Sequence, residues 1–130
     1  MLSHAIHAHD LLLRYFGPME EVSAMLATRT NGIETEDCAA IALRSAEGAL
    51  ATSSITLGAA DDTSRLRFVF RNLTAECGSA PYAPGQGTWR FSARRPGDQA
   101  DIDRVVAEMP AGLEGFAGFL AAIADDLDDR

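Results

Sequence analysis

Three histidines and an aspartate fall within seven residues near the start of the chain, in Ser3-His4-Ala5-Ile6-His7-Ala8-His9-Asp10. Imidazole titrates close to neutrality, so such a group can take up or release a proton at physiological pH as a general acid or base. His4 and His7 are three apart and share a face if the segment is helical; with a third ligand from elsewhere they could bind a divalent metal. The plainer alternative is a set of surface histidines at the end of a helix. Other stretches carry less. Gly85-Gln86-Gly87 continues as Thr88-Trp89-Arg90, so it lacks the third glycine of a dinucleotide fingerprint and precedes a strand instead of opening a helix. Gly112, Gly115 and Gly118 suit close backbone approach on a helix rather than a ligand. Arg65, Arg67 and Arg71 could meet an anion, but pairing of a solvated strand face with Glu34 and Glu36 is the simpler expectation. No Ser-His-Asp order or nucleophile elbow is evident.

The elements that must position these residues follow from periodicity. Ile6, Leu12, Leu13 and Phe16 recur at near-helical spacing, Ser3 can cap the start and Gly17-Pro18 can stop the run, which predicts a helix over 4–16. Alternation predicts strands over 21–29, 35–44 and 49–57, the last two joined as a hairpin through Ser45-Ala46-Glu47-Gly48 with glycine at the positive-φ position. The second arm places Thr52, Ser54 and Thr56 on one face and Ile55 and Leu57 on the other, giving a sheet with a half-polar face. Arg65 to Arg71 alternates so that Leu66, Phe68 and Phe70 share a buried face. Shorter strands are expected over 73–77 and 88–94, then helices over 98–108 and 113–127, broken at Pro110-Ala111-Gly112. The fold class is α+β: a mostly antiparallel open sheet with helices on one face. Asp125, Asp126, Asp128 and Asp129 oppose the dipole at the end of the last helix.

Composition narrows the partners. The chain of 130 residues is 47% apolar and 23% charged, the balance of one globular domain. Its formal charge of −8 repels phosphate backbones and anionic lipid, so neither nucleic acid nor membrane is expected as a partner. All eleven cations are arginines, so no lysine can serve as proton donor or Schiff base. Cys38 and Cys77, far apart in sequence, are expected as free thiols. No secretory leader or apolar run long enough to span a bilayer is apparent, which makes the cytoplasm the expected compartment.

The segment His7-Ala8-His9-Asp10-Leu11-Leu12-Leu13-Arg14-Tyr15-Phe16-Gly17-Pro18 resembles one in the Gfo/Idh/MocA oxidoreductases, the family of glucose-fructose oxidoreductase and inositol dehydrogenase. The likeness continues in the same order through Glu21-Val22-Ser23-Ala24, Thr28-Arg29, Ile33-Glu34-Thr35-Glu36-Asp37-Cys38-Ala39-Ala40 and Glu47-Gly48-Ala49-Leu50-Ala51-Thr52, covering residues 4 to about 76. Members of that family pair a Rossmann domain, which holds NAD or NADP, with a C-terminal α+β domain that covers the substrate and often mediates oligomerisation. This chain is similar to the second domain alone.

The resemblance implies that His7 is the catalytic histidine, exchanging a proton with the substrate hydroxyl, and that Ser3, His4 and Asp10 contact the substrate; His4 and His9 fall at positions that vary in the family and are expected as pocket residues, not catalytic ones. Ser3 stands where many members carry an aspartate. It further implies a small sugar-like substrate, no cofactor bound by this chain, NAD or NADP for a full-length enzyme, and a Rossmann-domain partner to supply the lysine. A homodimer through the β-sheet is expected. The competing expectation is a stand-alone homodimerising module without enzymatic activity.

Overall fold

The computed structural model describes residues 2–78, 85 and 87–109, with side chains described from Ala5 onward. They fall into two compact units. The first opens with helix α1 (Leu2–Phe16). It begins ahead of the expected start, so Ser3 lies inside the first turn instead of capping it; leucine is a good helix former and nothing at Leu2 interrupts the turn. Gly17 ends it at φ 71°, a left-handed conformation that glycine adopts without strain, and donates its N–H to the Leu13 carbonyl at 2.9 Å. Ala5 and Leu12 are buried, with Ala8, His9 and Phe16 half-buried on the same side. Ile6 and Leu13, grouped with them by sequence, are both about half exposed.

Strands β1 (Met19–Ala27), β2 (Cys38–Ser45) and β3 (Leu50–Thr56) form a sheet in the order β1-β2-β3, antiparallel throughout. The hairpin between β2 and β3 is as expected: Gly48 has φ 85° and donates to the Ser45 carbonyl, while the buried Ser45 hydroxyl accepts the Ala49 N–H at 3.0 Å. Register assigns the faces. Val22, Ala24 and Leu26 of β1 share one with Ala39, Ile41 and Leu43 of β2 and Ala51, Ser53 and Ile55 of β3. Glu21, Ser23 and Met25 share the other with Ala40, Ala42 and Arg44, then Leu50, Thr52 and Ser54. The β3 alternation expected from sequence is therefore present, its hydroxyl row exposed. Helix α1 lies on the first face, tied there by His9.

The second sheet has the order β4-β5-β6, from β4 (Arg65–Val69), β5 (Leu73–Gly78) and β6 (Trp89–Ala93). Its apolar side stacks Phe68 on Trp89 at 5.8 Å and Trp89 on Phe91 at 6.2 Å between ring centroids. Phe68 and Leu66 are buried, but Phe70, expected to join them, is 46% exposed. The strand stops at Val69 because the Phe70 N–H turns to the Leu73 carbonyl. A 3-10 turn, Pro96–Asp98, takes the first residue of the expected helix, and α2 (Gln99–Glu108) follows. The Gln99 amide clasps β6: its oxygen accepts the Ala93 N–H at 2.8 Å, and its nitrogen donates to the Phe91 carbonyl at 3.1 Å and to Asp103 at 2.8 Å. The helix expected over 113–127 lies outside the described residues.

Candidate functional site

Helix geometry sorts the N-terminal cluster. Positions 3, 7, 10 and 14 recur at the spacing of one stripe, on the side of α1 opposite Ala5, His9 and Leu12. The backbone thus brings Ser3, His7 and Asp10 to one side and leaves His4 on its flank. The side chains of His7, Asp10 and Arg14 are exposed. His9 lies two residues from His7, about 200° round the helix, and turns inward, its Nε2 3.3 Å from the Ser53 Oγ on β3. Two histidines that look equivalent in sequence therefore have different surroundings: His9 meets the sheet, and His7 is exposed. Among the described residues no three metal-ligating side chains gather.

The strongest electrostatic feature lies elsewhere and was not singled out from sequence. Asp37, fully buried, folds the connection from β1 to β2 around its carboxylate. Its oxygens accept the backbone N–H groups of Asn31 at 2.7 Å, Arg29 at 2.8 Å and Thr30 at 2.8 Å, and the Asn31 side-chain amide at 3.3 Å. Those bonds, the Asn31 N–H foremost, hold the carboxyl well below the usual range, because each stabilises the charged form. They also explain two boundaries. The strand expected over 21–29 ends at Ala27 because the following N–H groups turn to Asp37, and the strand expected over 35–44 begins only at Cys38. A signal was present: aspartate after a Thr-Asn-Gly loop is a turn-forming acceptor. Opposite the same loop, a Cβ on Gly58 would lie 2.6 Å from Thr30 Cβ.

On the sheet face away from α1, Glu21 pairs with Arg44 beside the exposed Leu50, over an open depression of about 550 Å³. In the second unit, Glu76 pairs with both Arg90 and Arg67, the latter at 3.3 Å. The Arg67 partner is therefore Glu76 on the adjacent strand, and not Glu34 or Glu36; cross-strand neighbours in one sheet face meet at lower cost than distant loops. Cys38 and Cys77 are free thiols. No helix among the described residues is long and apolar enough to cross a membrane.

The family described as GFO/IDH/MocA C-terminal domain matches residues 1–76, which include α1 with His7, the Asp37 loop and the whole of the first sheet. The chain belongs to this family. Two solved relatives extend the likeness. The WlbA dehydrogenase from Bordetella pertussis, in complex with NADH and UDP-GlcNAcA, superposes with a TM-score of 0.59 at 28% identity, covering 78% of this chain and 31% of that one. The WlbA dehydrogenase from Chromobacterium violaceum, in complex with the same two ligands, gives a TM-score of 0.57 at 28% identity over 76% and 29% of the respective chains. The Gfo/Idh/MocA chain described here thus spans about a third of the length of these dehydrogenases. No curated protein matches it. The Gly85 turn precedes strand β6, whereas a diphosphate cradle is a glycine loop opening onto a helix N-terminus.

Proposed function

We propose that this chain is the substrate-binding and subunit-associating part of an NAD(P)-dependent oxidoreductase acting on a sugar or polyol. The observation that carries the reading is His7, exposed on α1 within the family-matched stretch while its neighbour His9 is tied to the sheet. An exposed imidazole can take the proton of a substrate hydroxyl as the carbonyl forms, and return it in the reverse direction. Asp10 and Ser3, at positions on the same side of the helix, and His4 on its flank, would orient neighbouring hydroxyls. The nicotinamide, NAD or NADP, would be held by a Rossmann domain outside these residues and would supply the hydride acceptor. The solved relatives hold UDP-GlcNAcA, which makes a nucleotide-linked sugar acid the first substrate to try. The flat outer face of the first sheet, with Ser23, Met25, Ala40, Ala42, Thr52 and Ser54, would carry a homodimer. A cytoplasmic setting and the absence of nucleic-acid or membrane partners accord with the acidic charge.

The test is to recover the chain with its natural partners from the source cells and to follow NAD reduction with UDP-GlcNAcA. His7→Ala is expected to lower turnover by about 10²-fold or more, the usual contribution of a general base, with the mass of the assembly unchanged. Undiminished turnover removes His7 from the chemistry. Recovery of a homodimer with no dinucleotide-binding polypeptide favours the second reading, an association module, which the exposed Met25 and the small residues around it support. Ala42→Arg would then split the dimer without altering the fold.

A further inference from the structure

Strand β1 closes one end of the first sheet, and the register fixes which of its backbone groups point outward. The Asp37 carbonyl accepts the Leu57 N–H and the Ser45 N–H donates to Ala49, so the odd residues of β2 turn toward β3 and the even ones toward β1. Ala40 and Ala42 lie opposite Met25 and Ser23, whose N–H and C=O groups are thereby engaged with β2. Those of Val22, Ala24 and Leu26 point the other way, and no strand among the described residues lies beyond them. The side chains are open as well: Val22 is 64% and Leu26 61% exposed, and Ala24 between them is exposed. Open strand borders are commonly blunted by a lysine, a proline or a bulge. Val22 to Ala27 reads Val-Ser-Ala-Met-Leu-Ala, without charge or proline, and the register shift of this strand falls earlier, between Met19 and Glu21.

We propose that β1 pairs with β1 of a second copy, antiparallel and centred on Ala24, joining two three-stranded sheets into one. This register sets Ala24 opposite the partner's Ala24, Val22 opposite the partner's Leu26 and Leu26 opposite the partner's Val22, and each such pair exchanges both of its outward hydrogen bonds. On the side of α1, Val22 meets the partner's Leu26; on the other side Ser23 meets the partner's Met25. Glu21 falls opposite the partner's Ala27 and about 20 Å from the partner's Glu21, beyond the ~8 Å over which exposed charges act. The far end of the sheet offers a poorer match. By the same parity β3 turns the hydroxylated Thr52, Ser54 and Thr56 outward, and the Thr56 hydroxyl already accepts the Gly58 N–H at 3.0 Å. Joining β1 to β3 of another copy would also be head to tail and would not close, whereas β1 on β1 closes as a two-fold dimer. A contact about 20 Å long lies at the small end of specific interfaces, so monomer and dimer should exchange with concentration. The contact uses the border of the sheet, not the outer face invoked above, and does not rest on the oxidoreductase reading.

The experiment oxidises Val22→Cys, Ala24→Cys and Leu26→Cys mildly, each beside the parent chain, whose Cys38 and Cys77 set the background. Ala24→Cys is expected to form a covalent dimer several times faster than the other two, because facing Cα atoms in such a pair are about 5.5 Å apart, within disulfide reach. Positions 22 and 26 each lie about 14 Å from their own copy. Equal rates at the three positions, or a faster reaction at 22 or 26, overturn the proposal. Sedimentation equilibrium of the parent should give a mass that rises with concentration from that of one chain toward that of two. Ala24→Pro, which a lone chain tolerates because the lost N–H faces solvent, should stay at the mass of one chain, with circular dichroism confirming its fold. A parent still monomeric at about 1 mM overturns the proposal, and so does a folded Ala24→Pro that dimerises like the parent, which would move the contact to the outer face. Should Ala24→Pro fail to fold, the cysteine pattern decides.

Discussion

Replacing Gly58 with alanine sets two effects of opposite sign against each other. In ordinary backbone conformations a Gly→Ala change stabilises by about 0.4–1 kcal/mol, because the unfolded chain loses freedom. Here the new methyl would lie 2.5 Å from Thr30 Cγ2 and 2.6 Å from Thr30 Cβ. Thr30 cannot simply rotate away: it is branched at Cβ, and its N–H is held by Asp37 at 2.8 Å. Relieving the overlap means moving the loop, and overpacking of this kind costs about 1–3 kcal/mol. The clash wins, with a net loss of about 1–2 kcal/mol, or roughly 4–8 °C in Tm for a domain of this size. In a Thr30→Gly background the obstructing atoms are gone and the same Gly58→Ala change should become stabilising by about 0.4–1 kcal/mol. Urea denaturation of the four proteins measures both differences. An effect of Gly58→Ala that is the same in both backgrounds would refute the close approach of these two segments.

The depressed Asp37 carboxyl gives a pH dependence with a definite sign: its contribution to stability is complete above the ordinary aspartate pKa of about 3.9 and is lost as pH falls below it. Asp37→Asn should therefore lower Tm at neutral pH, and the gap from the parent should narrow progressively as the pH falls below about 3.9; a gap constant with pH would contradict the buried charge. Glu76, also depressed, loses its contribution in the same direction, below about 4.3. Phe68→Ala removes a ring stacked on Trp89 from a position 5% exposed and should cost about 3–5 kcal/mol. Emission from Trp89, the single tryptophan, should shift to longer wavelength; an unchanged spectrum and a loss under about 1 kcal/mol would exclude Phe68 from that core.

What could be read from sequence was what local patterns decide. The β2–β3 hairpin was readable because Gly48 and two alternating arms agree, and the first helix because Gly17-Pro18 marks its end whatever surrounds it. The family resemblance likewise rested on residues contiguous in the chain. What escaped depends on partners distant in sequence. Asp37 draws backbone donors away from two strands, which no alternation records. Arg67 selects Glu76 through the register of a sheet, and register needs all three strands in place. His7 and His9 could be told apart only once Ala5 and Leu12 had shown which side of the helix is buried, since Ile6 and Leu13 offered an equally apolar alternative.

The Gln99 amide on β6 bears on how the folded chain behaves in company. An edge strand presents unspent N–H and C=O groups, to which the strand of another molecule can add. At Phe91 and Ala93 those groups are already taken by a side chain that imitates a peptide unit, offering one acceptor and one donor at the required places. A foreign strand would have to evict Gln99 before it could extend the sheet there. The residue that starts α2 thus also shields that edge against templated aggregation, a safeguard supplied by a single glutamine at the helix start.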